Sequence, residues 1–269
     1  MKDRIEWDIL KGFSSKEKQA FLFEDAAKEF NTIKRGYLAK VLSRMVRNGS
    51  LIRLERGVYQ IVPLNESATN YIPDWHLVAG AIMEKRNYYI GYYSAMQIHG
   101  LITQPSLTEI IVTDVQMKPS VTFIKNVKFQ FVHHITKRFF GYSDTWINDH
   151  DKVKCSNLEK TITDALTKPH YAGGIVEIAK AIYETRNKIN KDTLFDYLTR
   201  NESYAAKKRY LYICGLLDIN SAHHTGMKSS LGTGISLLDT SGPDEGRILT
   251  ELGLKINIDD DTIKNSIFT

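Results

Sequence analysis

"GSLIRLERGVYQI" (Gly49–Ile61) sets Leu51 and Arg53 against Ile52 and Leu54, then Val58 and Gln60 against Tyr59 and Ile61. Alternation with a period of two marks strands with one buried face, and Gly57 supplies the backbone freedom a tight turn requires. The segment is therefore predicted as a small hairpin with one face free. Arg53 and Arg56 on such a hairpin call for an acidic partner.

Working upstream, "FEDAAKEFNTIKRGYLAKVLSRMVRNGS" reads as a short helix from Glu24 to Phe30, an Asn-Thr turn, and a longer helix from Lys34 to Asn48 stopped by Gly49. Tyr37, Leu38, Val41, Leu42, Met45 and Val46 recur at the spacing of one buried stripe, with Lys40, Ser43, Arg44 and Arg47 opposite, beside Gly36. Arg35 falls at the edge of the stripe. Farther upstream, "DRIEWDILKGF" carries Ile5, Trp7, Ile9 and Leu10 at helical spacings, while Ser14 with Glu17 offers a capping box for an alternative start. Either start completes a three-helix core.

Two helices joined by a turn and followed by a hairpin is the order of a winged helix-turn-helix. In that fold the second helix enters the major groove and the hairpin meets neighbouring phosphates. Charge supports the same reading: eight cations lie between Lys28 and Arg56 against Glu29 and Glu55 alone, an excess comparable to the net +5 of the whole chain. The residues expected to contact DNA are Lys34, Arg35, Lys40, Ser43, Arg44, Arg47, Arg53 and Arg56. With about five of them on phosphates, log affinity would fall against log salt with a slope of roughly −4 to −5.

The chain has 269 residues, 42% of them hydrophobic and 25% charged, which is enough for two compact domains. No apolar run approaches a membrane span, and the charges scattered through "MKDRIEWDILKGF" do not fit a signal or transit peptide. Cys155 and Cys214 form no metal or redox motif, so a reducing, cytoplasmic setting is expected. The fold class predicted is α+β: a winged helix over residues 1–63, a crossover between Pro63 and Pro73, and a mixed α/β domain over 74–269 with a helical C-terminal part.

In the second domain Asp74 caps a helix from Trp75 to Arg86, Tyr88–Tyr92 reads as an aromatic strand, and Ser94 caps a short helix stopped by Gly100. "LTEIIVTD" and "VTFIKNVKFQFVHHI" supply strands, the latter broken by a Lys125-Asn126 turn. Ser156 and Glu159 form a capping box for a helix in "DKVKCSNLEKTITDAL". Beyond Gly174, "IVEIAKAIYETRN", "KDTLFDYLTR" and "SYAAKKRYLYICGLL" read as helices. Residues 220–242 read as a loop enclosing one strand, "GISLLDT", and "GLKINID" as the closing strand.

The basic hairpin "LIRLERGVYQI", the aromatic "YYIGYYSAMQIHGLI" and the later "VKCSNLEKTITDAL", in this order, resemble the AbiEi family of antitoxins and transcriptional repressors from type IV toxin–antitoxin systems. The likeness runs from Asp25 to the final "GLKINI", with a departure at Gly91-Tyr92-Tyr93, where relatives often carry His or Ser. It implies a winged helix that binds inverted repeats in the operon's own promoter. It also implies a C-terminal domain that counteracts a nucleotidyltransferase-like toxin.

The opposing reading is a nucleic-acid-processing enzyme or a generic regulator targeted by the same winged helix. His133-His134, the Asn148–Asp151 run and His223-His224 are the candidate polar clusters. Adjacent residues on a strand point to opposite faces, and Asn/Asp-rich loops ordinarily meet water, so none of these spacings selects a metal or an acid/base pair. Nucleotidyltransferase, nuclease and phosphate-loop signatures are missing. No catalytic residue, metal or cofactor is expected.

Overall fold

In the computed structural model, residues 2–16, 18–83, 86–102, 104 and 106–268 are described. The chain opens with α1 (Lys2–Ser14), β1 (Ala20–Leu22), α2 (Phe23–Glu29), α3 (Arg35–Arg47) and the hairpin β2 (Leu51–Glu55) and β3 (Val58–Ile61). Ser14 ends α1 rather than starting a helix, and its capping partner Glu17 lies outside the described residues. Ile9, Phe13, Phe21, Leu38, Val41, Leu42, Met45 and Leu51 form the core of this unit. Tyr37 does not join them. One position off the stripe's centre leaves it 41% exposed.

The hairpin pairs as expected, Leu51 opposite Ile61 and Arg53 opposite Tyr59, with Gly57 at φ +82 in the turn. A third strand, β1, extends it to the order β1-β3-β2. Both faces of the hairpin carry buried residues. Leu51 and Tyr59 pack on the helices, while Ile52, Leu54 and Val58 join a second core with Val78, Tyr88, Ile111 and Phe129. At about 25 cal/mol per Å² of buried apolar surface, this shared face alone ties the first unit firmly to the second.

That second unit begins with α4 (Trp75–Met83), whose N-terminus is capped by Asp74 Oδ1 accepting from the His76 amide at 2.9 Å. There follow β4 (Tyr88–Ile90), α5 (Tyr92–Ile98), β5 (Thr108–Thr113), β6 (Val121–Ile124), β7 (Val127–His133), β8 (Tyr142–Trp146), β9 (Lys152–Ser156) and α6 (Leu158–Thr167). The six strands make one mixed sheet, β6-β7-β5-β4-β9-β8. One face packs on α4 and the hairpin; the other presents Tyr89, Ile110, Val112 and Val132.

Two predicted caps are displaced. Ser94 lies inside α5, buried, where its hydroxyl accepts from the Ile110 amide at 2.8 Å. The cap of α6 is Asn157, accepting from the Lys160 amide at 2.9 Å, and Ser156 instead bonds Thr161 at 2.7 Å. In both places the serine hydroxyl is engaged by another partner than the helix's first free amides, Ser94 by a neighbouring strand and Ser156 by a threonine one turn into α6.

The chain ends in α7 (Ile175–Thr185), α8 (Lys191–Arg200), α9 (Tyr204–Leu216), α10 (His224–Ser229), β10 (Ser236–Leu237), β11 (Arg247–Leu249), β12 (Leu254–Ile256) and α11 (Asp260–Phe268). The predicted "GISLLDT" strand shrinks to two residues because Asp239 turns away to accept from the Ile175 amide at 2.9 Å, capping α7. The predicted closing strand is followed by a helix, α11. Its first turn carries Asp260 and Asp261, which favour a helix start through the macrodipole.

Candidate nucleic-acid interface

The outward face of α3 follows the helical repeat: Gly36, Lys40, Ser43 and Arg47 are exposed, and Leu38, Val41, Leu42 and Met45 are buried opposite. Beside this face runs β2, from which Arg53 projects on the same side of the hairpin as Leu51, toward α3. Between them lies an open groove of about 540 Å³, lined by Ala39, Lys40, Ser43, Val46, Arg47, Arg53 and Tyr59. Three cations converge on it and no carboxylate lines it.

The eight expected contacts divide into two groups. Lys34, Lys40, Arg47, Arg53 and Arg56 are exposed and paired with no carboxylate among the described residues, and Ser43 is exposed on the floor between them. The other two cations, Arg35 and Arg44, are each paired with a glutamate.

Arg35 faces α2, donating to Glu24 Oε2 at 3.0 Å and to Oε1 at 2.5 Å, and its guanidinium lies 5.1 Å over the Phe23 ring. Phe23 in turn donates its amide to Gly57 O at 2.8 Å, so Arg35 braces the hairpin tip. Arg44 turns toward α1, its Nε bonded to Glu6, whose other oxygen accepts from Asn48 Nδ2 at 3.2 Å. The pair clamps the end of α3 to α1. Both pairings have one cause: each arginine sits on a flank of α3 within reach of a glutamate on a neighbouring helix, which the wheel of a single helix cannot show.

The remaining polar clusters are structural. His133, the last residue of β7, is exposed, and His134, just past the strand's end, is buried. His134 is bonded through Nδ1 to Tyr89 OH at 3.1 Å and through Nε2 to Tyr92 OH at 2.7 Å. Tyr89 donates to Asp164 at 2.9 Å, and Asp164 accepts from Lys160 Nζ at 2.7 Å. Burial holds His134 down at about 4, so it is neutral near pH 7. The aromatic and "LEKTITDAL" segments thus meet in one fully buried network. Its members were visible in the sequence, but their convergence was not, because they come from β4, α5, α6 and the residue just after β7.

In the Asn148–Asp151 run, Asp151 is buried and accepts from Gln19 at 2.8 Å and Asn148 at 2.9 Å, latching the β8–β9 turn to the first unit. His223 bonds Asp192 at 2.6 Å and stacks on Phe195. Among the described residues no three His, Cys, Asp or Glu side chains come together as metal ligands. Both cysteines are free and buried, their thiols pushed up to about 12 by burial. Among the described residues no helix is long and apolar enough to cross a membrane.

The sequence matches no protein-family pattern and no curated protein. The fold is similar to the crystal structure of the Rv2827c protein from Mycobacterium tuberculosis, with a TM-score of 0.69 over 98% of this chain and 95% of that one. The two sequences are 14% identical, so the likeness is one of fold.

Proposed function

We propose that this chain is a DNA-binding transcriptional regulator, with residues 2–63 forming a winged helix-turn-helix, α3 its recognition helix and β2–β3 its wing. The element order α1-β1-α2-α3-β2-β3 supports this reading. A single observation carries it: Lys40, Arg47 and Arg53, from the helix and the hairpin, are exposed, unpaired among the described residues, and line one groove without a carboxylate. An exposed cation ordinarily finds a carboxylate or is dispersed among opposite charges. Three that share a concavity with none suit the phosphates of a duplex, with Ser43 on the exposed face of α3 turned to the base edges.

The AbiEi resemblance supplies the regulatory context. On that reading the protein represses its own promoter at inverted repeats, and the part from Asp74 onward counteracts a nucleotidyltransferase-like toxin encoded beside it. The alternative, a nucleic-acid-processing enzyme, lacks support from the polar clusters, since His134, Asp151 and His223 are each held in structural bonds.

Fluorescence anisotropy with a labelled duplex from the region upstream of the gene tests the DNA reading. The K40A/R47A/R53A variant is expected to bind about 100-fold more weakly at moderate salt, each lost phosphate contact contributing to the fall. Equal affinity would refute the footprint. Co-expression with the neighbouring reading frame tests the antitoxin role, with rescue of growth expected and continued toxicity contradicting it.

A further inference from the structure

On the exposed face of α3 one side chain is neither charged nor small. Tyr37 sits in the first turn, its amide bonded to Lys34 O at 2.8 Å, and it is 41% exposed. Among the described residues its side chain makes no hydrogen bond and no ring or cation contact, whereas Arg35 in the same turn has found both a carboxylate and an aromatic ring. Nothing in the fold uses the Tyr37 ring.

Its place on the helix is defined. At 3.6 residues per turn, Tyr37 and Ser43 stand about 60° to either side of Lys40. Ser43 lines the groove beside the hairpin and Tyr37 does not, so the ring occupies the flank of the outer face that the groove leaves free. Gly36 beside it presents bare backbone: a Cβ there would meet nothing within 4 Å. A partner approaching the start of α3 therefore meets the Tyr37 ring first.

The N-terminal residues of a recognition helix are the ones that reach base edges. In the major groove those edges are hydrogen-bonding groups, with one apolar exception, the C5-methyl of thymine. Lys40, Arg47 and Arg53 suit phosphates, and a serine hydroxyl such as that of Ser43 pairs with donors and acceptors alike. On this face Tyr37 alone offers a large apolar surface for a methyl group to select.

We propose that Tyr37 is a specificity-determining residue, its ring packing on the C5-methyl of a thymine in the bound duplex. The inference rests on the reading of α3 as a recognition helix and adds to it the base that is read.

Replacing every thymine of the upstream duplex by deoxyuridine removes the methyl groups and keeps the base pairing, and fluorescence anisotropy with the two duplexes tests the assignment. The wild type is expected to bind the deoxyuridine duplex about fourfold more weakly, the factor for one methyl group returned to water. Tyr37→Ala is expected to lose about the same factor on the thymine duplex and to bind both duplexes equally, while Tyr37→Phe, which keeps the ring, behaves as the wild type. The slope against salt should be the same for all three proteins, because no phosphate contact is lost. A wild type indifferent to the methyl groups, or a Tyr37→Ala variant that still distinguishes the duplexes, would overturn the assignment and leave the DNA reading in place. Weakened binding by Tyr37→Phe with no methyl effect would also overturn it, moving the contact from a base to a phosphate. A wild type that binds neither duplex would overturn both.

Discussion

Two helices carry dense runs of cations, and their fates differ completely. On α3 and the hairpin beside it, Lys40, Arg47 and Arg53 face outward with no partner among the described residues. On α9, the consecutive Lys207, Lys208 and Arg209 are all buried. Arg209 donates to Leu166 O at 2.7 Å, Leu237 O at 2.7 Å and Leu238 O at 2.9 Å, and Lys208 to Gly234 O and to Gly253 O at 3.3 Å. The second set is consumed in holding the β10–β12 region against α9 and the end of α6. Burial pulls the Arg209 guanidinium down to about 10, so it remains charged at neutral pH. Local charge density therefore does not identify a binding face. What identifies it is a cation left with solvent on one side and no carbonyl or carboxylate on the other.

The comparison predicts opposite consequences for removing charge. Largest is Arg209→Met, which strands several buried carbonyls and should cost about 3–5 kcal/mol in urea denaturation. A change below about 1 kcal/mol would mean those carbonyls find other donors and that α9 is not the clamp.

Next is the buried network behind the central sheet. His134 titrates near 4 in the folded chain against 6.5 for the ordinary group, so the unfolded chain binds the extra proton first as pH falls. Stability is then fully present above about pH 6.5 and lost progressively toward pH 4, by about 3 kcal/mol in all. Melting temperatures measured from pH 7 to 4.5 should fall, and His134→Gln should flatten that fall. An unchanged slope in the variant would assign the acid sensitivity to other groups.

Smaller effects come from the two arginines of α3 that are paired with glutamates. Arg44→Ala breaks the Glu6 clamp and should cost about 1 kcal/mol of stability, while Arg35→Ala should cost less, its pair with Glu24 being exposed. Smallest of all, Lys40→Ala, Arg47→Ala and Arg53→Ala should each leave stability within about 0.5 kcal/mol of the wild type.

The sequence made the backbone plan of the first unit legible, because α3 and its hairpin obey periods of 3.6 and 2 and end at Gly49 and Gly57. Five of the seven cations named from that pattern lie exposed and unpaired among the described residues; Arg35 and Arg44 do not, since their partners Glu24 and Glu6 are 11 and 38 residues away. The hairpin's second buried face was hidden for the same reason: alternation shows which residues share a side, not whether another unit covers the rest.

In the C-terminal part, α9 was legible as a helix but not as a buried one with charged residues inside, because its carbonyl partners lie more than 20 residues away in sequence, in α6, β10 and the turns around them. The strand β8, "YSDTW", escaped notice since an edge strand with exposed polar residues carries no apolar alternation.

The most direct test of the central claim is the slope of log affinity against log salt for duplex DNA, measured for the wild type, for K40A/R47A/R53A and for R35A/R44A. With roughly 0.9 counterions released per phosphate contact, the first variant should lower the slope's magnitude by about 2.7 and the second should leave it close to the wild-type value. Equal slopes for all three, or a loss confined to R35A/R44A, would contradict the assignment of the α3–β2 groove.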